Sequence, residues 1–172
     1  MKKLIILGAG TGGTIMANKL AEPLGQRGWK ITVIDRDDNH YYQPGFLFVP
    51  FGLYQPEDLL RRRSALLPPG VEFLTKEVEE IQPQKKAIKL TDGEELDYDL
   101  LLIATGAHIC PEETPGMLDG WRQNIFDYYS LDGATALASK LEEFKEGTLV
   151  IHINEMPIKC NVSPLEFAFL VD

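Results

Sequence analysis

Short apolar runs separated by segments of helical character are the main pattern along this chain. Residues 4–7 and 100–103 are wholly apolar, which is typical of strands buried on both faces of a parallel sheet. Residues 30–34 are rich in β-branched side chains and predict another strand. Residues 14–24 predict a helix whose last turn contains Pro23. The chain therefore begins with a β-α-β unit, and the pattern predicts an α/β fold with a parallel central sheet.

Four shorter extended segments lie in the middle of the chain. They span residues 71–74, 77–81, 87–90 and 94–98. The Asp92-Gly93 pair between the last two is a β-hairpin signal. These segments predict a β-meander inserted into the parallel sheet.

The remaining segments carry weaker signals. Residues 131–144 predict an amphipathic helix, residues 148–153 have the pattern of a buried strand, and residues 164–170 predict the first turns of another helix. Residues 56–66 begin with proline and acids, which predicts a helix. Residues 36–55 show no period, and an aromatic loop of this length is usually functional.

The composition excludes some classes of function. The chain has 172 residues, 44% of them hydrophobic, and a formal net charge of −9, which is ordinary for a soluble globular protein. The acidic balance argues against nucleic acid as a partner, because phosphates need a basic face. Two cysteines are too few for a disulfide scaffold and favour a reducing compartment. No apolar run approaches the ~20 residues of a membrane-spanning helix.

Glycines after the first strand carry the strongest chemical signal. Gly8, Gly10 and Gly13 form a G-x-G-x-x-G pattern between a strand and a helix. In that pattern the first glycine allows a tight turn, the second admits a pyrophosphate, and the third lets the helix pack against the sheet. Asp35 ends the second strand, where a carboxylate accepts ribose hydroxyls. The pattern predicts a dinucleotide site without distinguishing NAD from FAD; a glycine-rich turn with a surface aspartate is the alternative.

Residues 97–106 point to the cofactor by resemblance. They read Asp-Tyr-Asp, four apolar residues and then Ala-Thr-Gly. This combination resembles the flavoproteins with two dinucleotide-binding domains, and the inserted meander fits the same layout. The resemblance implies FAD, held in a three-layer Rossmann-like FAD/NAD(P)-binding fold. The predicted cofactor-binding residues are Gly8, Gly10, Thr11, Gly13, Asp35, Arg36, Ala104, Thr105 and Gly106.

A second motif narrows the resemblance. Residues 157–166 read Pro-Ile-Lys-Cys-Asn-Val-Ser-Pro-Leu-Glu, where many nicotinamide-oxidising relatives carry a second glycine fingerprint. This P-x-K-C-x-x-x-P-x-E pattern is similar to the sulfide:quinone oxidoreductases and flavocytochrome c sulfide dehydrogenases. The aromatic Tyr41-Tyr42-Gln43 segment fits the same group.

Cys160 is the candidate catalytic residue. The adjacent Lys159 and a helix predicted to begin near Pro164 would both favour a thiolate. The resemblance implies that this cysteine faces the flavin and forms a disulfide with a second cysteine. Sulfide then attacks the disulfide to form a persulfide, and electrons leave through the flavin to a quinone or haem. A buried structural cysteine is the alternative.

Other titratable side chains receive ordinary interpretations. Cys110 does not match the position of the family's further cysteine, which falls at Phe126, and we expect it to be structural. His108 and Cys110 are too few ligands for a metal site, and no metal is predicted. Residues 61–63 are three arginines on the predicted helix, which we interpret as a solvated face near Glu57 and Asp58. Structural roles are also expected for His40 and His152.

These observations predict the FAD-binding portion of an oxidoreductase resembling sulfide:quinone oxidoreductase. We expect an FAD-binding domain over residues 1–145 and the start of a second, truncated dinucleotide-binding-like domain over residues 146–172. The resembling enzymes are more than twice as long, so the second redox cysteine and the quinone site are expected outside this sequence. The alternatives are a stand-alone FAD- or nucleotide-binding module without turnover, and a fragment of an NADH:quinone or disulfide reductase.

Partners and location follow from the same resemblance. A quinone or other electron acceptor is expected, and nucleic acid is not. The apolar C-terminal end predicts self-association. The expected location is cytoplasmic, and peripheral to the inner face of a membrane when a C-terminal part completes the chain.

Overall fold

The computed structural model describes all residues from Met1 to Asp172 and divides into two compact units. The first comprises Met1–Tyr41 and Arg61–Ala107, and the second comprises Tyr42–Leu60 and His108–Asp172. The strands are β1 Lys2–Leu7, β2 Trp29–Asp35, β3 Asn39–Tyr41, β4 Leu60–Arg62, β5 Val71–Thr75, β6 Val78–Gln82, β7 Ala87–Leu90, β8 Glu95–Asp97 and β9 Leu100–Ile103. The helices are α1 Thr11–Gly25, α2 Leu131–Glu143 and α3 Ser163–Val171. The predicted domain boundary at residue 145 stays a prediction.

A four-stranded parallel sheet organises the first unit. Its order is β5-β2-β1-β9, and β1 pairs with β2 on one side and with β9 on the other. Successive side chains of a strand point to opposite faces, so β1 supplies Leu4 and Ile6 to one core and Ile5 and Leu7 to another. The predicted α/β fold with a parallel central sheet is confirmed.

Each face of the sheet is covered by a different kind of layer. Helix α1 packs on one face, where its small residue Ala17 joins the cluster around Leu4 and Ile6. The antiparallel strands β6, β7 and β8 cover the other face, with Ile88 and Leu90 fully buried against β1. The Asp-Gly hairpin is present between β7 and β8, with Gly93 at φ +88°. The inserted meander is therefore a third layer of three strands. The prediction that residues 71–74 belong to the meander is wrong, because they form β5, which pairs in parallel with β2 in the central sheet.

An apolar cluster holds the second unit together. Leu47, Leu137 and Phe167 are its buried members, and they come from the aromatic segment, from α2 and from α3. The aromatic segment is a nine-residue 3₁₀ helix, Gln43–Phe51, although its sequence shows no period. Gly45 lies within it, and a side chain there would collide with Leu59. None of the helices combines the length and apolarity that crossing a bilayer requires.

The predicted helix over residues 56–66 is wrong. The segment consists of strand β4 between two short 3₁₀ turns, Pro56–Leu59 and Ser64–Leu66. The side chain of Asp38 accepts hydrogen bonds from Arg62 Nε at 2.8 Å and from the backbone N of Ser64 at 2.8 Å. These bonds cross 24 or more residues of chain, so local periodicity could not reveal them.

The predicted strand over residues 148–153 is also wrong. This segment is irregular, and its apolar side chains other than Leu149 are exposed, with Val150 at 77%. A strand requires a neighbour to complete its hydrogen bonds, and no strand pairs with these residues. An apolar, β-branched pattern is therefore insufficient for a strand at this position.

The cap of α2 provides a test of the second unit. Ser130 Oγ accepts a hydrogen bond from the backbone N of Gly133 at 3.0 Å and donates one to Asp127. We expect Ser130→Ala to lower the free energy of unfolding by roughly 1–2 kcal/mol, measured by urea denaturation. Ser139→Ala, at an exposed position of the same helix, is the control. An equal loss in both variants would contradict the capping role.

Candidate functional site

The glycine turn after β1 is packed backbone against backbone. Gly8 has φ +92°, and a side chain at this position would collide with the carbonyl oxygen of Ala104. Its backbone N donates to Ile34 O at 2.8 Å, while Ala104 N donates to Leu7 O at 2.8 Å. The turn is therefore fixed to the ends of both β2 and β9, and the Ala-Thr-Gly turn lies beside it. Thr105 and Gly106 are exposed there, and Gly106 has φ +79°.

Gly13 meets a second close approach. A side chain at Gly13 would collide with the carbonyl oxygen of Gly8 and lie 3.3 Å from Cγ2 of Ile6. At the neighbouring Gly12, a Cβ would lie 3.7 Å from Cβ of Ala104, which is ordinary contact. Gly13 is thus the position where α1 packs directly on the turn.

Gly10 has the opposite environment. No atom lies within 4 Å of the position that its Cβ would occupy, and no side chain caps the helix that follows. Thr11, the first helical residue, is exposed. The first N–H groups of α1 are therefore free, and the positive end of the helix dipole faces open space. This arrangement fits a pyrophosphate, which needs both close backbone approach and N–H donors.

Asp35 is joined to the glycine turn by direct hydrogen bonding. Its Oδ2 accepts from the backbone N of Ala9 at 2.7 Å, and its Oδ1 accepts from the backbone N of Arg36 at 2.8 Å. The Asp35 side chain is 13% exposed. His40 lies nearby, with Nδ1 3.2 Å from the carbonyl oxygen of Ala9. The structure thus brings the predicted phosphate-binding and ribose-binding residues together at one edge of the sheet.

The arginine run does not form the uniform solvated face that we predicted. The Arg62 side chain is 81% exposed and forms an ion pair with Asp38. The Arg63 side chain is only 13% exposed and forms an ion pair with Asp35. Its Nη1 also donates to the carbonyl oxygen of Asp37 at 2.9 Å. The interpretation is therefore wrong for Arg63, which is drawn inward by carboxylates at the end of β2.

Cys160 lies in the second unit, in the loop before α3. Its side chain is exposed, and Cys110 and Cys160 are both free. The Tyr129 hydroxyl donates to the carbonyl oxygen of Cys160 at 3.1 Å. Tyr128 stacks on the buried Phe167 of α3, with ring centroids 4.8 Å apart. The loop carrying Cys160 is therefore attached to an aromatic cluster.

A polar network holds the two tyrosines in place. Asp127 Oδ1 accepts from the backbone N of Tyr129 and of Ser130, both at 2.9 Å, and Asp127 pairs with Arg122 at 2.7 Å. Burial raises the pKa of both the Tyr128 and the Tyr129 phenol. Tyr129 thus remains a neutral hydrogen-bond donor well above neutral pH.

Cys110 has a different environment. It is partly buried, and desolvation together with the nearby carboxylates of Glu113 and Glu112 raises the pKa of its thiol. Both effects disfavour the thiolate, which is the nucleophilic form. This environment supports the structural interpretation of Cys110.

Comparison with known proteins identifies the family. Residues 2–151 match the family described as pyridine nucleotide-disulphide oxidoreductase. The chain belongs to the pyridine nucleotide-disulphide oxidoreductase family. The matched region contains the glycine turn, Asp35 and the Ala-Thr-Gly turn, and it ends before Cys160.

The proteins that are similar to this chain include quinone reductases. The mitochondrial sulfide:quinone oxidoreductase of Mus musculus is 27% identical over 98% of this chain and 37% of its own length. The type II NADH:quinone oxidoreductase of Staphylococcus haemolyticus is 29% identical over 83% of this chain and 34% of its own length. The solved structure of the Aquifex aeolicus sulfide:quinone oxidoreductase matches 83% of this chain and 32% of its own chain, with TM-score 0.68 and 23% identity.

These findings confirm the resemblance to sulfide:quinone oxidoreductases and the Rossmann-like fold. The chain spans little more than a third of the length of the two curated relatives. The individual site residues stay predictions.

The sequence did not predict the contacts of two polar side chains, Arg63 and Tyr129. Arg63 contacts Asp35 from 28 positions further along the chain, and Tyr129 contacts Cys160 across 31 positions. The only sequence signal was their occurrence in runs, the three arginines and the Tyr128-Tyr129 pair. Neither run shows which of its members points inward.

The two adjacent glycines of α1 give a matched test of the turn. We expect Gly13→Ala to destabilise the protein by roughly 1–3 kcal/mol, because the methyl group displaces the Gly8 carbonyl. Gly12→Ala should be neutral or slightly stabilising, because its methyl group finds ordinary contact. Thermal unfolding followed by circular dichroism measures both. Similar melting temperatures for the two variants would contradict the close packing.

The tyrosine contact to Cys160 can be tested separately. We expect Tyr129→Phe to lower the free energy of unfolding by about 1 kcal/mol, because it removes a hydrogen bond and keeps the ring. Tyr54→Phe, at an exposed ring packed on Phe48, is the control and should change stability little. Urea denaturation measures both variants, and a null effect at Tyr129 would disprove the contact.

Proposed function

We propose that this chain is the FAD-binding portion of an oxidoreductase that resembles sulfide:quinone oxidoreductase. In this proposal residues 1–145 are the FAD-binding domain, and residues 146–172 begin a second dinucleotide-binding-like domain. The main support is that similarity to the mouse sulfide:quinone oxidoreductase extends over 98% of the chain. The Lys-Cys motif at residues 159–160 supplies the specific part of that resemblance.

The residues of the first unit have definite tasks in this proposal. Gly10 leaves room for the pyrophosphate, and the free N–H groups from Thr11 onward donate to it. Asp35 accepts a ribose hydroxyl. The Ala-Thr-Gly turn, residues 104–106, lies near the phosphates or ribose on the β9 side, with Thr105 and Gly106 exposed. Bound FAD would take two electrons from the donor and deliver them to the acceptor.

Cys160 supplies one sulfur of the redox disulfide in this proposal. Hydrosulfide attacks a disulfide between Cys160 and a second cysteine, one S–S bond breaks, and one forms to the incoming sulfur. The products are a persulfide on one cysteine and a thiolate on the other, so the sulfide has lost two electrons. Cys110 does not suit the second role, because its environment disfavours the thiolate. The exposure of Cys160 and the contact of its carbonyl oxygen with Tyr129 suit a sulfur that must be both accessible to sulfide and held in position.

The electron acceptor and the location follow in the same way. We propose a quinone as acceptor. Because quinones dissolve in bilayers, the complete enzyme would lie at the inner face of a membrane. A NADH:quinone reductase is the second candidate, supported by the 29% identity to the Staphylococcus haemolyticus enzyme. It is weakened by the absence of a second glycine fingerprint near residue 153.

Flavin absorbance tests the cofactor assignment. We expect the purified chain to bind FAD, and Gly10→Val to lose most of it while keeping the fold, because the valine fills space that no protein atom occupies. Gly25→Ala, at an equally open position at the other end of α1, is the control and should bind FAD normally. Wild-type protein that takes up NAD and no FAD would disprove the assignment.

Anaerobic bleaching of bound flavin tests the donor. In a longer chain that supplies the second cysteine, we expect sulfide to bleach the flavin absorbance, Cys160→Ser to abolish this, and Cys110→Ser to preserve it. Bleaching by NADH and not by sulfide would instead support the second candidate. Equal bleaching by sulfide in both serine variants would remove Cys160 from the reaction.

A further inference from the structure

The Asp35 carboxylate is nearly saturated with donors before any ligand is considered. Oδ1 receives the backbone N–H of Arg36 and Nη1 of Arg63, and Oδ2 receives the backbone N–H of Ala9. A carboxylate has about four acceptor positions, two on each oxygen. Three are therefore filled, and the fourth is on Oδ2, next to the glycine turn.

We infer that Arg63 is a positioning residue, which holds Asp35 so that this one remaining position accepts a ribose hydroxyl of an adenosine diphosphate group. The inference rests on the proposed FAD binding. It adds a positioning residue and specifies which oxygen of Asp35 accepts the ribose hydroxyl. Arg63 does not touch the ligand in this account. It fills Oδ1 and fixes the rotation of the carboxylate, which leaves Oδ2 as the only acceptor.

The burial of Arg63 supports a role beyond surface charge. Its side chain is 13% exposed, and its Nε is buried without a hydrogen-bond partner. A buried N–H without an acceptor is unfavourable, so attraction to the carboxylates must decide where the guanidinium lies. Those carboxylates are Asp35 and Asp37, and Asp37 Oδ1 is 3.3 Å from Nη1 of Arg63.

The neighbouring cations Arg36 and Arg62 lie against other carboxylates. The Arg36 side chain is 79% exposed and its Nε is 3.8 Å from the carboxylate of Asp37. Arg62 is directed to Asp38, in the same turn. Without Arg63, Asp35 would keep its two backbone donors but would lose the charge partner that offsets its burial and its proximity to Asp37. The carboxylate would then be free to turn.

A purely structural role would be to attach residues 61–66 to the end of β2. Arg63 contributes to that attachment, since its backbone N donates to the Asp38 carbonyl oxygen at 3.0 Å. The two roles differ in their effect on ligands. A structural defect weakens every ligand of the site to the same extent, whereas a misplaced Asp35 weakens only those that present a ribose hydroxyl.

The test compares ADP with 2′,3′-dideoxy-ADP by isothermal titration calorimetry, below the melting temperature of each variant. In the wild type we expect ADP to bind about tenfold more tightly, because a hydrogen bond to a charged acceptor is lost in the dideoxy compound. In Arg63→Gln the ratio should fall to near one, as it should in Asp35→Asn. Arg62→Gln is the matched control, a neighbouring ion pair at the same turn, and should keep the wild-type ratio.

An additional variant and additional ligands distinguish the possible outcomes. Arg63→Lys retains a positive charge with fewer donors, and an intermediate ratio in this variant supports the inference even where Arg63→Gln does not fold. A wild-type ratio retained in both Arg63 variants would overturn it, whatever their stability. Wild-type protein that binds FAD with no difference between ADP and its dideoxy analogue would overturn this inference alone. Wild-type protein that binds neither FAD nor ADP would overturn the proposed function as well.

Discussion

Direct backbone contact at the end of β1 is the constraint on which the first unit depends. The Ala104 carbonyl occupies the space of a Gly8 side chain, and the Gly8 carbonyl occupies the space of a Gly13 side chain. Three segments therefore meet with no side chain between them. This contact sets the distance of α1 from the sheet, and it brings the helix N-terminus and the Ala-Thr-Gly turn to one edge.

In the second unit, contacts between side chains hold the loop of Cys160 in place, whereas direct backbone contacts hold the glycine turn of the first unit. Asp127 ties down the backbone that carries Tyr128 and Tyr129, and these rings in turn contact α3 and the loop of Cys160. An exposed cysteine in an irregular segment thus acquires a defined position through an aromatic cluster. Such a loop can hold an exposed side chain in a defined position without being buried itself.

The sequence predicted the elements whose cause is local. Residues 4–7 and 100–103 are uninterrupted apolar runs, and both are strands of the central sheet. The glycine spacing and Asp35 could be recognised because each has a fixed place relative to a strand end. The exceptions depend on distant contacts: residues 60–62 pair with β3 and Arg62 bonds to Asp38, whereas residues 148–153 lack a partner strand. Arg63 and Tyr129 were missed for the same reason, since a run of identical residues does not indicate which one a remote carboxylate or loop will engage.

The central position of β1 has a consequence for how the first unit forms. Lys3 bonds to Asp99 across 96 residues, and β1 is bordered on that side only when β9 arrives. Until then β1 is an edge strand of a parallel sheet, with apolar side chains on both faces and unpaired backbone groups along one side. Contacts so distant in sequence slow folding, because a long loop must close first. During synthesis the unit cannot complete its sheet before residue 103 has emerged. The partly synthesised chain therefore exposes an unpaired, apolar edge strand. Such a surface is prone to aggregation and is bound by chaperones.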